Sequence, residues 1–162
     1  MIFITLGTQK FQFNRLLKEI DNLINENIIN TEVYAQVGYS DYKPKKFSYT
    51  KFMGHTDFQS KMDQADLVIT HGGTGSIITA LKNDKKVIAV PRLSKFNEHV
   101  DDHQKQIIDE FVMKNYLLGC YSIDELGGIL LKIRNAHFEK YKSNSKEFIF
   151  DLENYLDGLN RK

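Results

Sequence analysis

Asp66-Leu67-Val68-Ile69-Thr70-His71-Gly72-Gly73-Thr74-Gly75-Ser76 sets a short apolar, β-branched run against a glycine-rich loop. The run Asp66 to Thr70 reads as a buried strand that opens into the loop. From Ser76 to Leu81, strong helix formers at apolar spacing predict a helix. Lys86-Val87-Ile88-Ala89-Val90 is the next strand, and Pro91 ends it. Strand, loop, helix and strand fit into about 25 residues, the scale of a βαβ unit. Its right-handed crossover makes the two strands parallel neighbours.

The same alternation extends in both directions. Upstream, Ile2 to Leu6 is an apolar run stopped by Gly7, and Leu16, Leu17, Ile20, Leu23, Ile24 and Ile28 trace one face of a helix. Glu32 to Val37 predicts a second strand ended by Gly38. Gly38 to Lys46 reads as an exposed loop, Phe47 to Met53 as a third strand and Asp57 to Gln64 as a short helix. Downstream, Arg92 to His99 is a polar loop. Val100, Gln104, Ile107, Ile108, Phe111 and Val112 form a helical stripe, and Tyr116 to Cys120 a last strand. Ile123 to Arg134 reads as helical despite Gly127 and Gly128, which weaken a helix. A final helix is predicted from about Ser145 to Leu159, with Phe148, Leu152, Tyr155, Leu156 and Leu159 on its apolar face. The expectation is one α/β domain over residues 1–162, a Rossmann-like parallel sheet with helices on both faces. Residues 145–162 either pack on that sheet or dock a partner.

Composition narrows the functional classes. A chain of 162 residues with 41% hydrophobic and 27% charged residues builds its core without disulfides. The lone Cys120 has no internal partner, which points to a reducing compartment. A formal net charge of +1 supplies no field for nucleic acid. The N-terminus lacks the basic n-region and long h-region of a signal peptide, and no run approaches a membrane span. The chain is therefore expected to be soluble and cytoplasmic, with membrane contact made through a partner. Lys132, Arg134, Lys140, Lys142 and Lys146 make the C-terminal region basic, either as a solvated face or as an attraction to an anionic surface.

Ligands of parallel sheets bind beyond the carboxyl ends of the strands. Gly7-Thr8-Gln9, His71 to Ser76 and Pro91-Arg92 should all face that crevice. Glycines let backbone N–H groups approach an anion, and the helix after Gly75 adds unpaired donors and a positive dipole end. Gly72, Gly73, Thr74, Gly75 and Ser76 thus suit a diphosphate cradle. A plain βα turn capped by Thr74 or Ser76 is the alternative. The loop is neither a Walker A sequence nor the three-glycine dinucleotide fingerprint. Thr8 and Gln9 can hydrogen-bond a phosphate or a sugar hydroxyl, or simply form a turn. His71, at a strand end, either contacts phosphate or orients its loop. Glu98, His99, Asp102, His103 and Gln104 gather carboxylates, amides and imidazoles of the kind that grip sugar hydroxyls; a solvated, capped helix start reads equally well. His99 and His103, four apart, fit one face of a helix, but no third metal ligand accompanies them. His55 and His137 have no such company, and Cys120 reads as a buried small hydrophobe.

Four segments occur together: Ile4-Thr5-Leu6-Gly7-Thr8, His71-Gly72-Gly73-Thr74-Gly75-Ser76, Val87-Ile88-Ala89-Val90-Pro91-Arg92, and Glu98-His99-Val100-Asp101-Asp102-His103-Gln104. In order and spacing they resemble the C-terminal, nucleotide-sugar-binding half of GT-B glycosyltransferases, and most of all its stand-alone form. One branch of that form is the eukaryotic subunit that helps add the second GlcNAc to dolichol-linked chitobiose. The other is the small subunit of two-part bacterial capsule and exopolysaccharide transferases, which the Glu98-to-Gln104 stretch resembles closely.

The resemblance implies a UDP-sugar donor whose diphosphate lies on Gly73, Thr74, Gly75 and Ser76, with the Gly7-Thr8 loop closing over it. Pro91, Arg92 and Leu93 would border the base, and the His103-Gln104 pair would meet the hexose. A membrane-anchored subunit would bring the lipid-diphosphate-linked acceptor and the general base, with this chain recruited to the inner face of the membrane. Thr79 stands where many relatives carry a ribose-binding glutamate, a departure that weakens the implied nucleotide. No cofactor or metal is implied. A non-catalytic enhancer subunit of a partner transferase is the rival reading.

Overall fold

A computed structural model of the chain describes residues 1–142. The helix expected over 145–162, and Lys146 with it, lie outside the described residues. Six strands are present: β1 (Ile2–Thr5), β2 (Val33–Gln36), β3 (Ser48–Thr50), β4 (Leu67–Thr70), β5 (Lys86–Ala89) and β6 (Leu118–Gly119). Five helices separate or follow them: α1 (Asn14–Asn25), α2 (His55–Gln64), α3 (Thr74–Lys82), α4 (His103–Met113) and α5 (Leu126–Arg134). Short 3₁₀ turns occupy Ser94–Phe96 and Ile123–Glu125.

All five strand pairings are parallel, and the strand order is β3-β2-β1-β4-β5-β6. The chain runs outward one way from β1 to β3, then returns to β4 and runs the other way. The order therefore reverses between β1 and β4, which makes their carboxyl ends the topological switch point of the sheet. Register fixes the site there: Thr5 stands opposite Thr70, so the loops after β1 and β4 leave the sheet level with each other.

Alternating side chains divide the core into two layers. Ile2, Ile4, Val33, Ala35, Leu67, Ile69 and Ile88 meet Leu16, Leu17, Ile20 and Leu23 of α1 and Leu126, Leu130 and Ile133 of α5. Phe3, Val68, Val87 and Ala89 meet Met62 of α2, Ile77, Ala80 and Leu81 of α3, and Ile108 of α4. Each such side chain contributes about 1.5–3 kcal/mol by leaving water. Two covered faces explain why β4 reads as a continuous apolar run rather than an alternating one.

Several expectations are corrected. The helix after the glycine loop begins at Thr74, two residues before Ser76, with Gly73 at its N-cap and no side-chain cap. Neither Thr74 nor Ser76 acts as a capping side chain. Helix α4 begins at His103, because Asp101 turns its carboxylate onto the His103 N–H at 3.0 Å and starts the helix there. Val100 consequently lies outside the apolar stripe and is 76% exposed. His99 and His103 share no helical face. Ile28 falls past the end of α1, where Asn27 takes a left-handed turn (φ 57°) and the Ile28 N–H returns to the Leu23 carbonyl.

The loop over Gly38 to Lys46, expected to be exposed, is exposed at Asp41, Lys43, Lys45 and Lys46 but buried at Gly38 and Ser40, and it is pinned at its end. Buried Asp21 accepts hydrogen bonds from the Tyr42 hydroxyl (2.7 Å) and from Lys45 N and Lys46 N (2.8 and 2.9 Å). No helix among the described residues is long and apolar enough to cross a membrane.

Candidate functional site

Beyond β4 the backbone turns through Gly72 at φ +83°, a conformation that favours glycine. A Cβ there would also lie 2.8 Å from Ile108 Cδ1. Helix α3 starts immediately afterwards. Its first amide with a carbonyl partner is that of Ile77, bonded to Gly73 O at 3.1 Å. The N–H groups of Thr74, Gly75 and Ser76 therefore stand at the open end of the helix, where orphan donors and the positive dipole end coincide. Thr74 and Gly75 are exposed, and a Cβ on Gly75 would meet nothing within 4 Å. This is open, donor-lined space on the crevice side of the sheet, suited to an anion.

His71 forms the floor between the two loops. Its side chain is buried, with Nδ1 at 3.3 Å from the Thr5 carbonyl and 3.5 Å from Thr70 Oγ1. A Cβ on Gly73 would lie 2.4 Å from His71 Nε2, and one on Gly7 2.7 Å from its Cε1. Gly7 also adopts φ +71°. The imidazole edge is thus sandwiched by two glycines, and no other residue type fits either place. Burial, and then the Arg92 charge, lower the His71 pKa to about 4, so the ring is neutral near pH 7. A carbonyl only accepts, so Nδ1 carries the proton and Nε2 remains an acceptor facing the glycines. Thr8 and Gln9 lie exposed on the same edge.

The segment after β5 behaves differently from its sequence reading. Arg92 is 0% exposed and points inward. Its Nη2 donates to the Leu6 carbonyl (2.7 Å) and the Phe11 carbonyl (3.2 Å), and its backbone N–H donates to Gln104 Oε1 (2.9 Å). Burial lowers its pKa to about 10, which leaves it charged. Glu98 is 1% exposed and accepts from Arg15 Nε (2.9 and 3.0 Å) and Leu93 N (3.1 Å). Burial raises its pKa, while Arg15 opposes the rise. Arg15 also donates to the Pro91 carbonyl at 2.7 Å.

Arg92 and Glu98 are therefore corrected from ligand contacts to internal struts, because their polar atoms face the protein. Gln104 is buried with its Oε1 committed to Arg92. His99 stacks on Phe11 at 5.0 Å and accepts from Asp101 N at 3.3 Å. Asp102 and His103 are exposed, with Asp102 Oδ1 holding Ser94 N at 2.9 Å. Thr79 turns its hydroxyl back to the Gly75 carbonyl at 2.8 Å. Burial also pushes Cys120 up to about 12, which removes it as a nucleophile at neutral pH.

Two further residues belong to this region and were not anticipated: Arg15 and Phe13. Phe13 carries both guanidinium groups, with Arg15 Cζ 5.0 Å and Arg92 Cζ 5.6 Å from its ring centre. One sequence signal existed, since a cation in the first turn of a helix opposes the dipole and calls for a partner. Among the described residues, no three His, Cys, Asp or Glu side chains gather as cation ligands. Two cavities of about 320 Å³ are present, one apolar at the far edge of the sheet beside Ile2, Ile28 and Ile133, the other lined by Gly38, Tyr39, Tyr42, Tyr49 and Phe52 on the carboxyl side of β2. The crevice is defined by backbone donors rather than by enclosed volume.

Comparison with known proteins agrees with this architecture. Residues 1–156 match the model of the glycosyltransferase family 28 C-terminal domain. The UDP-N-acetylglucosamine transferase subunit ALG13 of Saccharomyces cerevisiae is 37% identical over 91 residues, 53% of this chain and 42% of that protein. The match covers about two fifths of the length of this subunit in Saccharomyces cerevisiae, Candida albicans, Yarrowia lipolytica and Debaryomyces hansenii, and 10% of it in Mus musculus. Among solved structures, Acinetobacter baumannii MurG superposes with a TM-score of 0.63 at 16% identity, covering 93% of this chain and 48% of that one. An NMR solution structure of ALG13 gives a TM-score of 0.50 at 24% identity, covering 87% of each chain. These two likenesses establish the fold.

Proposed function

The chain belongs to the glycosyltransferase family 28 C-terminal domain family, and we propose that it is the UDP-sugar-binding subunit of a two-component glycosyltransferase. In this reading the complex moves a hexose onto a lipid-diphosphate-linked acceptor in capsule or exopolysaccharide synthesis. The observation that carries it is the open N-terminus of α3: the unbonded amides of Thr74, Gly75 and Ser76 at the switch point, beside the Gly7 loop. Relatives named as UDP-N-acetylglucosamine transferase subunits make UDP-N-acetylglucosamine the first donor to test.

The chemistry follows from charge development. Departure of UDP puts negative charge on the diphosphate, and fixed N–H donors at a helix end stabilise it without reorganising. His71, neutral and wedged between glycines, holds the two donor loops at a set separation. The hexose extends toward the exposed start of α4, where Asp102 and His103 offer polar groups. An acceptor hydroxyl needs a base. His71 is buried and the Glu98 carboxylate is locked to Arg15, which takes these two groups out of that role; in this reading a membrane-anchored subunit supplies the base, binds the acceptor and recruits this chain to the inner face of the membrane.

Calorimetric titration with UDP and several UDP-sugars tests donor binding. Transfer assays with this chain, the partner and the pair then test the division of labour. Binding of UDP with activity only in the pair is the expected result. Full activity from this chain alone refutes the split site, and absence of UDP binding refutes the donor reading.

A further inference from the structure

We propose that Arg92 is a positioning residue for the donor: its buried guanidinium clamps both ends of the Gly7–Lys10 loop and keeps one unneutralised positive charge beneath it for the diphosphate. The inference rests on the donor reading above and adds a residue that acts without touching the ligand.

The clamp is geometric. One nitrogen, Nη2, donates to the carbonyl just before the loop, Leu6, and to the carbonyl just after it, Phe11. The four residues between are fastened at their base by a single planar group. Arg92 is itself held from behind, by Gln104 Oε1 on its backbone N–H and by Arg15 on the neighbouring Pro91 carbonyl.

The charge is left over by counting. Arg15, Arg92, Glu98, His71 and His99 are the titratable groups buried or half-buried around the loop base, and His99 stacks on Phe11 with Asp101 Oδ1 3.2 Å from its Nδ1. Glu98 is engaged by Arg15 through both carboxylate oxygens, and His71 is neutral. One positive charge on Arg92 remains, and its Nε and Nη1 find no hydrogen-bond partner among the described residues. Burying an unpaired cation and unsatisfied donors is costly. The face of Phe13 offsets part of that cost. An anion bound at the Gly7 loop offsets more, because attraction to a buried charge is screened less than attraction to an exposed one. A phosphate-bearing donor thereby gains over an uncharged nucleoside.

The test uses the full chain with Arg92→Met, which removes charge and clamp, and Arg92→Lys, which keeps the charge. Ligands are UDP and uridine, followed by NMR titration, with thermal melting to confirm folding. Arg92→Met is expected to weaken UDP about tenfold while uridine changes by less than about twofold, and Arg92→Lys to restore most of the UDP preference. Parallel loss for both ligands, or no loss for either, overturns the proposal. Should Arg92→Met not fold, Arg92→Gln gives the same comparison. Amide hydrogen exchange at Leu6 and Phe11, whose N–H groups bond the Gln36 and Gln9 carbonyls at the two ends of the loop, provides a reading independent of nucleotide: it should accelerate in each variant, and unchanged exchange overturns the clamp. Wild-type chain that shows protected Leu6 and Phe11 amides but no UDP binding sinks the donor reading and the electrostatic half of the proposal, while leaving the clamp standing.

Discussion

Gly75→Asp separates stability from binding at the proposed diphosphate cradle. Gly75 sits in the first turn of α3, exposed, and an added Cβ meets nothing within 4 Å. Replacing a helical glycine with aspartate gains about 0.3 kcal/mol in intrinsic propensity. A carboxylate in the first turn gains a further 0.3–1 kcal/mol, roughly, from the dipole. The variant should therefore be more stable by roughly 0.6–1.3 kcal/mol, raising the melting midpoint by about 1–5 °C. Binding should move the other way. A carboxylate about 4 Å from a phosphate oxygen repels it by about 4 kcal/mol at an effective dielectric of 20. Exposure and salt reduce this to about 2 kcal/mol, roughly thirtyfold in affinity. Thermal melting and calorimetric titration with UDP on the same sample read both effects. Raised stability with unchanged UDP affinity would show that no phosphate sits at this helix end. Lowered stability would contradict the open space at Gly75.

Gly73→Ala should do the opposite and damage the fold, because its Cβ would lie 2.4 Å from His71 Nε2; a loss of roughly 1–3 kcal/mol in urea denaturation is expected. His71, whose pKa of about 4 lies below the unfolded value of 6.5, contributes stability that is present above pH 6.5 and lost as pH falls toward 4. That amounts to about 3 kcal/mol, and a His71→Gln variant should show a flatter stability profile over this window; identical slopes would contradict it. Glu98→Ala removes the acceptor for Arg15 and Leu93 N inside the protein and should cost roughly 3–5 kcal/mol by denaturant titration. Asp21→Ala should cost about 2–3 kcal/mol and speed amide exchange at Lys45 and Lys46, whose N–H groups it holds; unchanged exchange there would show that the loop is held by other contacts.

The sheet and its crevice were legible because they depend on local pattern. The runs Ile2 to Thr5 and Leu67 to Thr70 are apolar on both faces, which only a covered parallel sheet requires. Right-handed crossovers then put the loops of β1 and β4 side by side. Periodicity carried less information about where helices begin. Val100 is in phase with Gln104 and Ile108, yet the Asp101 carboxylate starts α4 at His103 and leaves Val100 in solvent. The direction in which a polar side chain points was not legible at all. Arg92, Glu98 and Gln104 occupy a polar stretch at a strand end, which reads as a surface. The partners of Arg92 and Glu98 across the site, Leu6, Phe11 and Arg15, lie 81 or more positions away, and no local rule connects the two segments.

That long-range pairing changes what the site is made of. Gly7 is located from three sides: His71 lies beneath it, Gly38 stands so close that a Cβ on Gly38 would be 2.8 Å from Gly7 O, and Arg92 holds the carbonyl before it. Gly38 takes φ +58° to make this approach. Two glycines, Gly7 and Gly38, and the buried His71 and Arg92 thus fix the backbone of a loop that has no secondary structure of its own. A donor site built from main-chain amides needs that rigidity, since the amides stabilise developing charge only if they already point at it. Lysines on the surface would attract the same diphosphate but would rearrange with it and hold the leaving UDP as tightly as the substrate. On the proposed reading, Arg92 supplies attraction from below and the α3 amides supply direction from the side. Only the side chains of Thr8 and Gln9 stay exposed on this fixed backbone.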